Sequence, residues 1–220
     1  TDSIRVEGTT EFCGYEALAL SSNIIGLFTA GKAETVAQAD DEVVLVLDRT
    51  VFYAESGGQV GDCGFLTKGS AKIEITDCRK AGNHHIHIGR VLSGEFSVGD
   101  SVDGVVDHGV RQATALNHSA THLLHEALRQ VLGNHVEQKG SLVDSQRLRF
   151  DFSHEEAVSN EQVRRIEHLV NQEIFKNTSV STQVMSMDDA KAKGAVALFG
   201  EKYGDEVRVV SIGGDYSVEL

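Results

Sequence analysis

Three histidines in one short stretch, Asn117-His118-Ser119-Ala120-Thr121-His122-Leu123-Leu124-His125, are the residues of this sequence best placed to do chemistry. The apolar residues around them recur at helical spacing. At about 100° per residue, Leu116, Ala120, Leu123, Leu124, Ala127, Leu128 and Val131 fall on one stripe, which predicts an amphipathic helix from about Val110 to Leu132 with Gly133 as its stop. His118, His122 and His125 cluster almost opposite that stripe, so they face water, a second layer or a site. His118 and His122 are one turn apart, a spacing that lets two imidazoles reach one metal ion and that equally suits a solvated polar face. A zinc protease in its usual form is excluded, because Ser119 follows His118 and no carboxylate lies between the histidines to serve as base. Tetrahedral zinc on His118 and His122 needs one or two further ligands from outside the helix. His125, His135, Asp151 and His154 are available nearby, and nothing in their spacing selects one.

A second constellation is Thr50-Val51-Phe52-Tyr53-Ala54-Glu55-Ser56-Gly57-Gly58-Gln59-Val60-Gly61-Asp62. Adjacent glycines permit positive φ and close backbone approach, which suits either a cradle for a phosphate or nucleotide end or a tight barrel turn. His84, His85 and His87 invite a metal assignment, but strand alternation splits them across two faces and favours structural or surface roles. Cys13, Cys63 and Cys78 are odd in number and widely spaced, so they read as reduced structural thiols rather than a disulfide framework or thiolate zinc cage.

The elements that must carry these residues divide the chain into two subdomains, 1–107 and 108–220. From Glu7 to Asp107 short strands are broken by glycine: Ser22 to Thr29, Glu42 to Asp48, Ala71 to Asp77, the alternating run around Ile86 and Ile88, and a last strand through Val106. That pattern predicts a small antiparallel barrel. After the histidine helix come Val136 to Val143 and an alternating strand, Leu148 to Phe152. Ser159-Asn160-Glu161-Gln162 is a capping box, opening a helix to about Asn177 whose Val163, Ile166, Leu169, Val170 and Ile174 share a face. Val180 to Met185, Val207 to Ile212 and Tyr216 to Leu220 look extended, and Ser186 to Lys193 is a short helix closed by Gly194. The fold class is α+β: a small antiparallel β-barrel followed by helices on an antiparallel sheet.

With 220 residues, 40% hydrophobic and 24% charged, the chain has the composition of an ordinary globular protein. No apolar run is long enough to span a membrane and no signal pattern opens the sequence, which places the expected location in the cytosol without a membrane partner. A net charge of −13 argues against autonomous, nonspecific nucleic-acid binding. Residues 108–150, with five basic and three acidic side chains, are the one net-positive segment, and they contain the histidine helix.

Five stretches together resemble, in order, the motifs of the alanyl-tRNA synthetase editing domain. They are Phe52 to Asp62, Leu116 to His125, Gln138-Lys139-Gly140-Ser141, Arg149-Phe150-Asp151-Phe152-Ser153-His154, and Ala195-Val196-Ala197-Leu198-Phe199-Gly200-Glu201-Lys202-Tyr203. The resemblance covers nearly the whole chain. Free-standing alanyl-tRNA editing proteins share the plan; the threonyl-tRNA synthetase editing domain shares the histidine helix but not the glycine-rich barrel.

The resemblance implies a hydrolase that removes serine or glycine wrongly attached to the acceptor end of alanine tRNA, as one part of a larger synthetase. It implies Zn2+ as cofactor with His118 and His122 as its first two ligands, Thr121 and Gln138 as pocket residues, and Gly57, Gly58 and Gln59 as the glycine-rich motif. The family's other two ligands belong to a Cys-Gly-Gly-Thr-His motif directly after a segment resembling Tyr216 to Leu220, where this sequence stops, so metal held by the residues present should be weak. The family usually has proline where Val51 stands, and Gly213-Gly214 looks one residue longer than the usual turn.

No carboxylate stands out as a general base. Gln138 and Lys139 could donate hydrogen bonds to the carbonyl or developing oxyanion, and the Thr121 hydroxyl could meet serine's own. Arg111, Lys139, Arg147 and Arg149 are the natural phosphate contacts. Asp151 and His154 could pair in support of the site, or mark a turn at the end of a strand. The alternative is a metal-free, inactive module that binds tRNA or bridges domains.

Overall fold

The computed structural model describes residues 6–196, 204–214 and 216–220. Of the motifs singled out above, the stretch Ala197 to Tyr203 lies outside the described residues. The chain packs as two compact units, 1–114 and 115–220, so the division falls inside the histidine helix.

The first unit is a closed antiparallel barrel of six strands, β1 (Ala19–Thr29), β2 (Glu42–Leu47), β3 (Gly64–Lys68), β4 (Ala71–Ala81), β5 (His84–Ser93) and β6 (Ser101–Val106). Around the barrel the order is β6-β3-β4-β5-β2-β1, and β6 closes back on β1 with Asp103 opposite Ser21 and Val105 opposite Ala19. Closure leaves none of the six with an unpaired edge. Bulges in the β1–β2 and β4–β5 pairs supply the bending that closure needs. Leu45, Leu47, Phe52, Leu66, Ile73, Ile75, Val91 and Phe96 form the core, as alternation along the strands requires.

Along β5 the alternation holds, and its two faces carry different chemistry. Ile86 packs with Phe28 and Val46 in a smaller cluster, while His87 is fully buried edge-on against Phe52. Leu45 O can only accept, so His87 Nδ1 carries the proton that reaches it at 3.2 Å. Nε2 therefore accepts from the Thr50 hydroxyl at 2.8 Å, and the Thr50 oxygen accepts from the Phe52 N–H at 3.1 Å. His84 is buried with Nε2 3.1 Å from Val6 O, and His85 Nδ1 is 3.3 Å from Phe52 O. All three histidines have structural settings. Cys78 is buried with Sγ 3.7 Å from Phe52 O, and burial pushes its thiol up, out of the reactive range.

The chain leaves the barrel into α1 (His108–Leu132), whose first turn is capped by Asp107 Oδ1 accepting from Val110 N at 3.0 Å. In the second unit come the hairpin β7 (Gln138–Val143) and β8 (Leu148–Phe152), then α2 (Asn160–Lys176), β9 (Ser181–Ser186), α3 (Met187–Ala192), β10 (Glu206–Ile212) and β11 (Ser217–Glu219). Strands β9, β10 and β11 make one antiparallel sheet in that order. Ser159 and Gln162 form the capping box read from the sequence, and Asn177 ends α2 in the left-handed region at φ 48°.

Val136, Ile166, Phe150, Phe152 and Leu169 pack with Ala127 and Leu128 of the apolar stripe of α1 and cover it. That cover takes in Leu124 to Leu132 and stops short of Leu116, which is 66% exposed. On α2, Val163 and Ile174 are likewise exposed although they share the apolar face. No described helix is long and apolar enough to cross a membrane.

Burial pushes the His87 imidazole down to about 4, the Leu45 carbonyl opposing it. The unfolded chain takes up this proton near pH 6.5, its ordinary value, and the folded chain only near 4, so acid favours unfolding across that interval. His87 should therefore cost about 3 kcal/mol of stability between pH 6.5 and 4, with nothing further lost below. A His87→Gln variant, less stable at pH 7, should show a shallower fall over the same interval in thermal melts; an unchanged slope would refute this account.

Candidate functional site

The histidine face of α1 is covered by the last strand of the second unit. In β11, Ser217 and Glu219 point to one side and are both buried, while Val218 and the following Leu220 pack on the opposite side with Ala190, Val207 and Val209. Glu219 Oε2 lies 2.6 Å from His122 Nδ1 and Oε1 lies 3.1 Å from His125 Nδ1. The Ser217 hydroxyl donates to Oε1 at 3.3 Å. His118 stacks on His122, ring centroids 5.1 Å apart and planes 15° apart. His125 tilts against Phe150, and its Nε2 is buried with no hydrogen-bond partner among the described residues.

The electrostatics follow from this packing. Burial alone would raise the Glu219 carboxyl, but the hydrogen bonds and charge of His122 and His125 outweigh it and hold the carboxyl at about 2. Burial first, then the neighbouring His122, push His118 down to about 4, against the attraction of Glu219. At neutral pH the cluster is one buried carboxylate facing His122 and His125, with a neutral His118 beside them.

Thr121, one position from His122, is buried, and its hydroxyl donates to Asn117 O at 2.9 Å. Its proton thus committed, the oxygen is left to accept. Gln138 and Lys139 sit at a bulge in the β7–β8 hairpin, where Gln138 opposes Phe152 and Gly140 opposes Asp151. Bulges of this kind re-aim side chains. Lys139 is exposed, with Glu137 at 3.0 Å, and Arg149 is exposed, with Asp151 at 3.1 Å. Asp151 therefore faces Arg149, while His154 Nδ1 lies 2.8 Å from His135 Nε2; the pairing of Asp151 with His154 considered from the sequence does not form.

The glycine-rich motif lies in the first unit. Ser56 and Gln59 exchange backbone hydrogen bonds at 3.2 and 3.0 Å around Gly57 (φ 58°) and Gly58 (φ 83°), a two-residue hairpin tip. Nothing lies within 4 Å of where a Cβ would stand on Gly57, so backbone conformation selects glycine there. Gly61 is different: a Cβ would meet Cys78 O at 2.1 Å. Gln59 is buried at the base of the tip.

Arg111 is a correction to the sequence reading. Its Nε donates to both Asp62 oxygens at 2.9 Å, Nη1 to Gly14 O at 2.9 Å, and Nη2 to Val51 O at 2.9 Å and to Asp62. Asp62 also accepts from Tyr53 N at 2.7 Å. A guanidinium so committed, 17% exposed, ties loops together and is not disposed to meet a phosphate.

The donor set of the helix fits zinc in kind. Metal-bound histidines usually give their other ring N–H to a carboxylate, as His122 does. In number it falls short: among the described residues no group of three or more His, Cys, Asp or Glu side chains could hold a metal ion. The residue that sequence reasoning missed is Glu219. Its signal was a strand in which Ser217 and Glu219 alternate with Val218 and Leu220, so that one whole face is polar although the strand is short enough to be covered on both sides.

Comparison with known proteins places this architecture. The family described as tRNA synthetases class II (A) matches residues 1–110, half of the chain. The chain belongs to that family. Among its relatives, it is 56% identical over 217 residues to an alanine–tRNA ligase of Pseudomonas fluorescens and 57% identical over the same length to one of Pseudomonas syringae pv. tomato. An alanine–tRNA ligase of Pseudomonas entomophila is 56% identical. Each match covers 99% of this chain and 25% of the relative, so the chain spans about a quarter of the length of these proteins.

Removing the Arg111 guanidinium strands a buried carboxylate. Arg111→Met should lower the unfolding free energy by about 3–5 kcal/mol, whereas Arg149→Met, at an exposed position, should stay within about 0.5 kcal/mol. Denaturant melts followed by circular dichroism read both, and equal effects would contradict the structural assignment of Arg111.

Proposed function

We propose that this chain hydrolyses the ester of serine or glycine wrongly attached to the acceptor end of alanine tRNA, as the proofreading part of an alanine–tRNA ligase in the cytosol. The observation that carries this reading is the arrangement of half-buried His118 and His122 with buried Glu219 beside Thr121, at positions that resemble the family's editing motifs, in a chain 56% identical to alanine–tRNA ligases. In the reaction a water oxygen adds to the ester carbonyl, the bond to the ribose oxygen breaks, and that oxygen takes up a proton. Esters are activated already, so holding the aminoacyl end in place supplies much of the acceleration.

Each residue has a part. Thr121, left as an acceptor, accepts a hydrogen bond from the serine hydroxyl. Gln138, re-aimed by the bulge, donates to the carbonyl oxygen as charge develops on it. The exposed cations of Lys139 and Arg149 meet phosphates of the acceptor end, with most tRNA affinity supplied by other parts of the synthetase. In the first unit, Gly57, Gly58 and Gln59 of the glycine-rich tip bind RNA. His118 and His122 would hold Zn2+, completed by ligands beyond those described, and the ion when bound would polarise or anchor the aminoacyl group.

Deacylation of Ser-tRNA(Ala) and Gly-tRNA(Ala), with zinc content measured alongside, tests this reading. Serine release above buffer is expected, abolished by His122→Ala. Thr121→Val should lower kcat/KM on the seryl ester about tenfold relative to the glycyl ester, the worth of about one hydrogen bond. A protein that holds zinc yet releases no serine would sink the proposal, and would favour a module that binds tRNA without turning it over.

A further inference from the structure

We propose that Glu219 is a positioning residue: it fixes His122 in the tautomer protonated at Nδ1, and His125 with Ser217 locks Glu219 in the pose that does so. The kinetic and metal consequences rest on the hydrolytic reading above; the tautomer consequence does not.

A carboxylate can only accept hydrogen bonds, so each ring nitrogen facing it must carry the proton. His122 Nδ1 faces Oε2 at 2.6 Å and His125 Nδ1 faces Oε1 at 3.1 Å, which places the N–H of both rings at Nδ1. In a neutral imidazole the other nitrogen then holds a lone pair, so His122 keeps Nε2 for an electrophile. An unrestrained carboxylate could rotate about its last bond and offer His122 either oxygen. Here Oε1 is engaged by two donors, His125 Nδ1 and the Ser217 hydroxyl, and the rotation is blocked. The backbone of Glu219 is itself held, paired with Val210 in β10 and bridged to Val196. Both Glu219 and His125 are buried, so water does not compete for these bonds. His125 thus acts on His122 through the carboxylate, although the two rings are three residues apart on α1.

The test uses the full chain with 15N-labelled histidine. Long-range proton–nitrogen spectra should show His122 and His125 both protonated at Nδ1. In Glu219→Gln the amide has one accepting oxygen, so one ring should switch to the Nε2-protonated form. Zinc affinity by chelator competition should fall about 10–100-fold, and kcat on Ser-tRNA(Ala) should fall with KM little changed. Should Glu219→Gln fail to fold, His125 decides. His125→Asn places an amide N–H where Nδ1 stood and should keep the His122 tautomer and zinc affinity, whereas His125→Leu should lose both.

Wild-type His122 protonated at Nε2 would overturn the proposal, as would the same His122 tautomer in His125→Asn and His125→Leu. Both tautomers as expected in a protein that releases no serine would sink the hydrolytic reading and leave Glu219 in its role.

Discussion

Arg111 and Asp62 form an ion pair, with Asp62 5% and Arg111 17% exposed, and the geometry of the first unit around the glycine-rich loop hangs on it. The guanidinium reaches Asp62, Gly14 and Val51, while Asp62 and Tyr53 exchange further bonds: Tyr53 N to the carboxylate at 2.7 Å and Asp62 N to Tyr53 O at 2.9 Å. One side chain from the first turn of α1 therefore holds both ends of the segment that carries the Gly57–Gly58 tip. Such a pair compensates its own desolvation only while both members and their backbone partners are in place. Arginine suits the role because its donors fork in a plane, so several acceptors can be met at once.

Much of the architecture was legible in periodicity. The barrel strands, the histidine helix and the capping box at Ser159 all follow from alternation, helical spacing and cap chemistry, which are local properties of the chain. What was not legible depends on which neighbour covers a face. Leu116, Val163 and Ile174 lie on apolar stripes longer than the layers that cover them. His87 sits in the barrel core because Thr50 and the Leu45 carbonyl satisfy both of its nitrogens, and those partners are 37 and 42 residues away. Arg111 looked like a phosphate contact because a lone arginine in a net-positive segment usually is solvated; its acceptors come from residues 14, 51 and 62.

The candidate site was half legible in the same sense. Spacing on α1 singles out His118 and His122, but the carboxylate that orients His122 comes from 97 residues away. The two buried histidine networks solve one problem in different ways. Around His87 a carbonyl and a hydroxyl stabilise the neutral ring, and burial keeps it so. Around His122 and His125 a carboxylate is retained in its charged form by ring N–H groups, at the expense of burying a charge. A neutral network of the first kind serves the fold. One that keeps an ion dry, with a ring nitrogen turned outward from it, is the kind of arrangement found where chemistry is done.

The bulge at Lys139 has a consequence of parity. Side chains on a strand alternate, and β7 advances two residues, from Gly140 to Gln138, while β8 advances one, from Asp151 to Phe152. Residues paired across a ladder share a side, so Gln138 lies on the side of Phe152 and Gly140 on that of Asp151, with Lys139 as the extra residue between them. Losing that one residue would turn the bulge into a regular ladder and leave Gln138 on the side it already holds. A single deletion elsewhere in β7 would instead shift every side chain beyond it to the other face, so where a length change falls in this hairpin matters more than its size.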